Sequence, residues 1–414
     1  MKQRWLKRSM VLLTVLLLCF AMATTAYAAE DAIYSEYTVT STEEFGEILR
    51  SRFAAREGYF KINYLSPLSP EEFDLRLLID KDVYWQHTGV GNQGDYIKKH
   101  GVTFNAQAQY GIVDPETGLY LYTFKYDDIK AYTTAEQEAQ VEAKIAALFE
   151  EGKIYDMPDY HKVRLIYDYI CSTVSYDYES YLSGDPTLKK HYTAHAALIE
   201  GTAVCQGYAN LFYRMANDAG VDTRYVSGMS HGESHGWNLV CLDGTYYWLD
   251  STWDAGKNAF GYTYFLRGSD AFEMDHEAEG DWSAYPISKT DYECPAVESL
   301  QFEKTPVKQE YIQGDPLNTD GMALRATYSD GYTGPVFYGW YTSGYESGVV
   351  GAQLVAVHYD SAFANYLVTV YAGPEEGIAI GNLVVQMITG GDLDSLQQAR
   401  DAIRVSFEIK TVEV

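Results

Sequence analysis

The sequence has few basic residues, few cysteines and little long hydrophobic sequence, and each shortage excludes a class of protein. Lys and Arg total 31 of 414 residues against 58 Asp and Glu, a formal net charge of −27. This charge disfavours electrostatic binding to nucleic acid or to an anionic membrane. Five cysteines are too few for a disulfide scaffold. With 47% hydrophobic and 21% charged residues and no long repeat, the composition is typical of a folded protein of about two to three domains.

The one long apolar run lies at the N terminus. Four basic residues precede the run Val11 to Ala23, and Ala26 and Ala28 are small residues of the kind that signal peptidase reads. The run is about 13 residues long, shorter than the roughly 20 that span a bilayer as a helix. We therefore predict a signal peptide over residues 1–28 and a secreted protein, extracellular or at the cell surface, without a membrane span after cleavage. A retained N-terminal anchor is the alternative.

A small α+β module is predicted over residues 30–132. Ser41 and Ser69 each begin a capping-box pattern with Glu three residues later, which indicates two helix starts. The stretches 59–65 and 119–126 are rich in aromatic and β-branched residues, as strands are. No catalytic motif falls in this module.

Residues 133–294 have the order of a larger α+β domain. A capping box at Thr134 opens one helix, a second covers residues near 159–174, and a third begins near Cys205 and ends at Gly220. Alternating strands follow, and Asp243-Gly244 between two of them is a strong hairpin signal. Helices followed by an antiparallel sheet predict an α+β core.

Short strands separated by Gly and Asp turns predict an all-β sandwich over residues 297–372. The segments 328–331 and 351–359, with sequences YSDG and GAQLVAVHY, resemble bacterial immunoglobulin-like domains. Residues 373–414 are predicted as further strands or a tail.

Four cysteines remain after signal cleavage: Cys171, Cys205, Cys241 and Cys294. They permit two disulfides in three connectivities, and the sequence leaves the pairing open. Cys205 differs from the others because it lies where a turn enters a helix. The helix dipole stabilises a thiolate at that point, and the free N–H groups of the first turn can donate to an oxyanion. The competing interpretation is a small buried hydrophobe.

The predicted hairpin gives Cys205 two partners. A two-residue turn at Asp243-Gly244 sets Asp250 opposite Trp237, so His235 and Asp250 are diagonal neighbours on one face, roughly 7 to 8 Å apart at the backbone. A register slip of one residue would separate them. A carboxylate that orients an imidazole, beside a thiol, is the arrangement of nucleophile, base and orienting group.

Three motifs in this order resemble the transglutaminase-like superfamily of papain-like cysteine enzymes: Cys205, the sequence HGWN from His235, and the sequence LDSTWD around Asp250. The resemblance implies a core in which the Cys-bearing helix packs on an antiparallel sheet. It also implies Cys205 as nucleophile, His235 as general base and then acid, and Asp250 as the residue that fixes the imidazole tautomer. The family's second oxyanion donor has no counterpart that we can place, and Gln206 does not occupy the papain-type position.

We therefore expect a secreted transglutaminase-like cysteine enzyme that transfers acyl groups from amides through a Cys thioester, as a peptidase or amidase on protein or cell-wall peptide. Two alternatives are a catalytically silent surface binding protein and a protein-crosslinking transglutaminase. No cofactor or metal is expected: His231 and His235 have a zinc-like spacing, but the glycines around them disfavour the helix that this spacing needs. His191 and His195 are expected to pack or face solvent, and Cys241 to fill the core.

Overall fold

In the computed structural model we describe residues 34–183, 186–257, 261–373, 377–391, 395 and 398–399. The predicted signal peptide lies outside these residues. The first region is a four-stranded sheet with helices on it, in sheet order β1-β2-β4-β3. Strand β1 is parallel to β2, and the other two pairs are antiparallel. Its elements are β1 (Ser35–Val39), α1 (Thr42–Ala54), β2 (Phe60–Ser66), α2 (Leu75–Ile79), a π-helical turn (Asp80–Tyr84), α3 (Asp95–Lys99), β3 (Thr103–Val113) and β4 (Tyr120–Lys130).

One of the two predicted helix starts in this region is correct and one is wrong. The Ser41 hydroxyl accepts a hydrogen bond from the Glu44 N–H at 3.2 Å and caps α1. At Ser69 the Glu72 carboxylate accepts the Ser69 N–H at 3.0 Å, but the Glu72 N–H donates to the Ser69 carbonyl oxygen, and these bonds close a turn. Helix α2 begins only at Leu75, with Asp74 as its cap. A capping-box pattern therefore describes a local hydrogen-bonding unit that a single turn also satisfies.

The central region begins with helices and short turns that share one large hydrophobic core. Thr134 and Gln137 form a complete capping box, and Val141, Ile145 and Phe149 on the helix that follows are buried. The elements are α4 (Ala135–Gly152), a 3₁₀ turn (Ile154–Asp156), α5 (Asp159–Thr173), β5 (Ser175–Tyr176), α6 (Tyr178–Ser183), a 3₁₀ turn (Pro186–Tyr192), a π-helical turn (Ala196–Glu200), β6 (Thr202–Ala203) and α7 (Cys205–Asp218).

Helix α7 packs on a four-stranded antiparallel sheet of order β10-β7-β8-β9. The remaining elements here are β7 (Thr223–Ser230), β8 (Glu233–Leu242), β9 (Thr245–Leu249), α8 (Ser269–Phe272) and β10 (His276–Ala278). Asp243 and Gly244 have φ values of 52° and 79°, as a type I′ hairpin turn requires at both central positions. The turn sets Leu242 opposite Thr245 and Asn238 opposite Leu249. This is the predicted register.

The N-terminal region is attached to this core by a buried ion pair. Both carboxylate oxygens of Asp95 on α3 accept hydrogen bonds from the Arg224 guanidinium on β7, at 2.7 Å each, and Asp95 also accepts the Tyr225 N–H at 3.0 Å. Gln206, next to Cys205, donates to the Lys99 carbonyl at 2.6 Å. The two regions therefore meet beside the start of α7.

The C-terminal region is β-rich: two sheets, of order β11-β13-β14 and β12-β17-β16-β15, enclose one hydrophobic core. Their strands are β11 (Val297–Lys304), β12 (Glu310–Ile312), β13 (Ala323–Tyr328), β14 (Thr333–Val336), β15 (Tyr341–Ser343), β16 (Gly351–Tyr359) and β17 (Ala362–Tyr371). The immunoglobulin-like assignment of this region and the domain boundaries stay predictions. Where the sequence predicts further strands or a tail, residues 377–390 form helix α9 (Gly377–Gly390).

A buried polar network joins the core to the C-terminal region. Asp168 on α5 accepts two bonds from the Arg164 Nε, at 2.9 and 3.1 Å, and one each from the hydroxyls of Tyr262 and Tyr359, at 2.8 Å. Nearby, His161 contacts Asp330 at 2.9 Å. Tyr359 and Asp330 belong to the C-terminal region, so its position depends on charges buried in the core.

Within the described residues, no helix has both the length and the apolar character that crossing a membrane requires. Cys171, Cys205, Cys241 and Cys294 are all free thiols.

Candidate active site

Cys205 is the first residue of α7, and the local sequence leaves this helix end open. The N-cap residue Val204 has no side-chain oxygen to accept a hydrogen bond from the first turn. Gly207 lets the helix start approach its neighbours closely, because a Cβ there would lie 2.6 Å from the Ala203 Cβ and 3.0 Å from the His191 carbonyl oxygen. The backbone N–H groups of Cys205 and Gln206 have no partner inside the helix, whereas that of Gly207 donates to the Val204 carbonyl oxygen at 2.8 Å. A thiol and free donors therefore share one position.

His235 on β8 lies between Cys205 and Asp250. Its Nε2 is 2.7 Å from Asp250 Oδ2, and the Cys205 thiol lies near enough to the ring to raise its pKa. Because Asp250 occupies Nε2, Nδ1 is the nitrogen left for the sulfur. The side chain of His235 is only 8% exposed. The structure thus brings together all three predicted site residues, and their catalytic roles stay a prediction.

The charges of His235 and Asp250 stabilise each other inside the protein. Burial opposes the charged form of His235, but Asp250 and Cys205 outweigh it and raise the pKa of His235 to about 10. Burial likewise opposes ionisation of Asp250, and the His235 charge with hydrogen bonds from His235 and His276 lowers the pKa of Asp250 to about 2. An imidazolium and a carboxylate are therefore the favoured pair at neutral pH.

The loop after β9 fixes the Asp250 carboxylate. Its Oδ1 accepts the N–H groups of Thr252 at 2.8 Å and Trp253 at 3.4 Å, so Oδ2 is left for imidazole. The fully buried Asp254 accepts the N–H groups of Thr263 and Tyr264, which holds the ends of this loop together. The aspartates of the LDSTWD motif thus have separate tasks: one faces the histidine and the other shapes the loop.

A cleft of about 760 Å³ opens onto Cys205 and His235. The aromatic rings of Tyr176, Tyr178 and Tyr181 line one wall. The parallel pairing of β5 with β6 sets Tyr176 beside Ala203, two residues before Cys205. The other residues that line it are Cys171, Ser172, Val174, Ser175, Ser230, Glu233, Ser234, Thr252, Trp253, Ala255, Gly256 and Lys257. The cleft gives a substrate access to the sulfur.

The other residues singled out from the sequence do not contact His235 or Asp250. His191 Nδ1 lies 2.8 Å from Asp177 Oδ2, and the buried His195 contacts Gln140 at 2.8 Å, so both histidines pack within the fold. Cys241 is only partly buried, so the prediction that it fills the core is wrong. Gln206 is occupied by the Lys99 carbonyl.

Two observations bear on metal binding. His231 has a positive φ in the turn before β8 and its ring lies against Trp253, so the helix that a zinc-type spacing needs does not form. Among the described residues, one group of three brings possible ligand atoms within 4.8 Å of one another: His235, Asp250 and His276. Both imidazoles share Asp250 Oδ2, at 2.7 and 3.3 Å, so hydrogen bonds account for this group.

His276 is the site residue that the sequence analysis missed. It lies on β10, which pairs with β7 through only three residues, too few to give a strand pattern. The adjacent pair Asp275-His276 is the signal that the sequence offered, since a carboxylate beside a histidine is a common orienting pair.

Comparison with known proteins gives one family match. Residues 151–251 match the model of the transglutaminase-like superfamily. A segment of 139 residues is 33% identical to the kyphoscoliosis peptidase of Mus musculus, covering 28% of this chain and 21% of the relative. A second segment of 50 residues is 54% identical to the rhamnulokinase of Ligilactobacillus salivarius, covering 12% of this chain and 10% of that protein.

A solved structure described as a TGase aligns with 69% of this chain and 67% of its own, at 14% identity and a TM-score of 0.26. The chain spans about a fifth of the length of the mouse relative. The family match covers the positions of Cys205, His235 and Asp250 and ends before His276. The chain thus contains a transglutaminase-like superfamily domain, which the family model matches over residues 151–251.

Proposed function

We propose that this protein is a cysteine hydrolase, a peptidase or amidase that cleaves amide bonds through a thioester on Cys205. The observation that carries the proposal is the placement of Cys205 and His235 on one cleft, with His235 beside the thiol and hydrogen-bonded to the buried Asp250. An exposed thiol without such partners would have no means of moving a proton to a leaving amine.

In the first half-reaction the Cys205 thiolate attacks the carbonyl carbon of the amide. A carbon–sulfur bond forms and the carbon–nitrogen bond breaks, and His235 gives its proton to the leaving amine. The N–H groups at the start of α7 donate to the oxyanion of the tetrahedral intermediate. The ion pair with Asp250 keeps His235 charged until that transfer.

In the second half-reaction water resolves the thioester. His235, now neutral, takes a proton from the water, the hydroxide oxygen bonds to the carbonyl carbon, and the carbon–sulfur bond breaks to release the acid and the thiolate. The exposed Glu233 and Ser234 line the same cleft as His235, and their polar side chains support water as the acceptor. The relation to a protein named as a peptidase also supports hydrolysis.

The chain supplies its own control for a test of Cys205. Iodoacetamide labelling is followed against pH by mass spectrometry, and Cys205 is compared with the partly buried Cys241 in the same molecules. Burial raises the pKa of Cys241, so its labelling should require alkaline pH. We expect Cys205 to react below pH 7 and to lose this reactivity in His235→Ala. Labelling of Cys205 no faster than Cys241 would instead support a silent scaffold.

A second experiment separates hydrolysis from crosslinking. Peptides are incubated with the protein with and without a labelled primary amine, and Cys205→Ala serves as the inactive control. We expect a mass gain of one water across the cleaved bond. Amine incorporation that outpaces hydrolysis would favour the crosslinking alternative.

We further propose that the protein is secreted after cleavage behind Ala28 and acts on protein or on cell-wall peptide. The basic segment, apolar run and small residues of the first 28 positions support this proposal. N-terminal sequencing of the exported protein and digestion of purified cell-wall peptides alongside denatured protein test its two parts.

A further inference from the structure

Asp250 has a second imidazole partner behind His235. The Nε2 of His276 lies 3.3 Å from Asp250 Oδ2, the oxygen that also contacts His235 at 2.7 Å. The other ring nitrogen of His276, Nδ1, lies 2.6 Å from Asp275 Oδ1. The Tyr264 hydroxyl donates to the remaining oxygen of Asp275 at 2.8 Å. A continuous line of polar groups therefore extends from Tyr264 to the Cys205 sulfur.

The surroundings of His276 hold its ring in one orientation. Its side chain is 1% exposed. The Phe272 ring stacks on it with centroids 4.0 Å apart, and the rings of Trp237 and Tyr264 stand at 5.0 and 5.3 Å. Strands β10 and β9 form opposite edges of the sheet. His276 lies on β10, and Asp250 directly follows β9. The carboxylate is thus approached from both sides by parts of the fold that are distant in sequence.

The hydrogen bonds of His276 constrain its protons. An ionised carboxylate only accepts hydrogen bonds, so each contact of the ring, with Asp250 and with Asp275, is a hydrogen bond only when that ring nitrogen carries a proton. A ring with both protons is cationic and lies between two anions.

We propose that His276, oriented by Asp275, is a positioning residue that directs the Asp250 carboxylate toward His235 and shares its negative charge. This inference rests on the proposed function, because it concerns how readily His235 holds and releases its proton. A carboxylate whose charge is divided between two imidazoles holds the His235 proton less tightly than one with a single partner. His235 then remains able to release that proton to a leaving amine.

The titratable groups around this line come from several elements: Cys205 on α7, His235 on β8, His231 in the turn before it, and Tyr264 and Asp275 ahead of β10. Of these, Asp275 is the group that faces His276 directly from the side away from Asp250. Removing either the ring or this charge should therefore change the proton affinity of His235.

The test measures the pH profile of Cys205 alkylation by iodoacetamide in the full chain, together with kcat and KM on a peptide that the wild type cleaves. His276→Phe should move the profile and lower kcat about tenfold with KM unchanged, as expected for loss of one member of a coupled network. His276→Gln keeps a donor toward Asp250 and should restore most of kcat. His195→Gln, the same change at a buried histidine outside the site, should leave both readouts at wild-type values.

The outcomes separate this inference from the proposed function. If the wild-type Cys205 reacts no faster than Cys241, the proposed function fails first. If the wild type is reactive and His276→Phe has an unchanged pH profile, only the role of His276 is overturned. Should His276→Phe not fold, Asp275→Asn carries the test, because it leaves the ring in place. A shifted profile in that variant supports the inference, and an unshifted one overturns it.

Discussion

Two buried aspartates in this molecule make similar numbers of hydrogen bonds but have opposite electrostatic character. Asp168, between the core and the C-terminal region, is held by Arg164 and two tyrosine hydroxyls, and burial raises its pKa above the ordinary value. Asp250 is held by two imidazoles and two backbone N–H groups, and its pKa falls to about 2. The Asp168 network borders only a small pocket. The other ends at a sulfur on a cleft.

The comparison shows that a buried charged network is not by itself a sign of catalysis. The partners of Asp168 are a guanidinium and two tyrosine hydroxyls, and among the described residues the pocket that Asp168 lines has a volume of only about 20 Å³. The Asp250 network contains two imidazoles and leads to a thiol, and this last member is open to substrate. The feature that indicates function is the Cys205 thiol, which lies on the cleft at the end of the Asp250 network.

The same substitution at the two carboxylates should have very different effects on catalysis. Asp250→Asn should lower kcat by roughly 10⁴-fold, because an amide cannot hold the His235 imidazole in the required tautomer. Asp168→Asn should leave kcat close to wild type, since it touches no reacting group. Steady-state kinetics on a cleaved peptide gives both values. Equal losses of kcat in the two variants would contradict the division into an active and a structural network.

The second prediction concerns stability. Arg164→Ala leaves the Asp168 charge buried without its cation, and we expect a loss of about 3 to 5 kcal/mol in the free energy of unfolding. Lys162→Ala on the same helix removes the exposed ion pair with Asp159 and should cost less than about 1 kcal/mol. Urea denaturation of the two variants measures the difference. A small loss in Arg164→Ala would show that the tyrosine hydroxyls suffice to hold Asp168.

The third prediction uses a close approach behind the site. A Cβ on Gly228 would lie 2.0 Å from the Glu277 carbonyl oxygen on β10. Gly228→Ala should therefore push β10 away from β7, with a loss of about 1 to 3 kcal/mol in stability and a lower kcat, because β10 carries His276. Gly348→Ala, where the added methyl meets open space, is the control. Wild-type kcat in Gly228→Ala would mean that β10 can move without affecting Asp250.

The smallest expected effect is in the pH dependence of stability, where two histidines should act with opposite sign. The raised pKa of His235 means that its contribution is complete below about pH 6.5 and is lost as the pH rises through about 10. Burial lowers the pKa of His161 despite Asp330, so its neutral form is favoured and stability falls as the pH drops below about 6.5.

Thermal unfolding across pH tests these signs. His235→Gln should flatten the alkaline limb of the stability profile, and His161→Gln the acid limb. If both substitutions act on the same limb, one of the two environments has been misassigned.

The sequence predicts the parts of the site whose geometry is local. The start of α7 at Cys205 follows from a turn that enters an apolar helix. The His235–Asp250 pair follows from a two-residue turn, together with the alternation of side chains between the two faces of each strand. His276 reaches the site on a strand that pairs through only three residues. Asp95 lies 129 residues before its partner Arg224. No local pattern encodes such contacts, which form because the packed core brings them together.

The hairpin between β8 and β9 has a consequence for changes in chain length. Its tight reversal links the spacing between His235 and Asp250 to the side of the ribbon on which each projects. Adding one residue to each arm lengthens the ribbon and leaves both side chains on a common side, although it changes their distance from the tip. Adding a single residue to one arm turns one of them to the far side. The effect of an insertion here therefore depends on whether the two arms are lengthened equally, and not on the total number of residues added. A loop-grafting experiment at Asp243-Gly244 can use that rule.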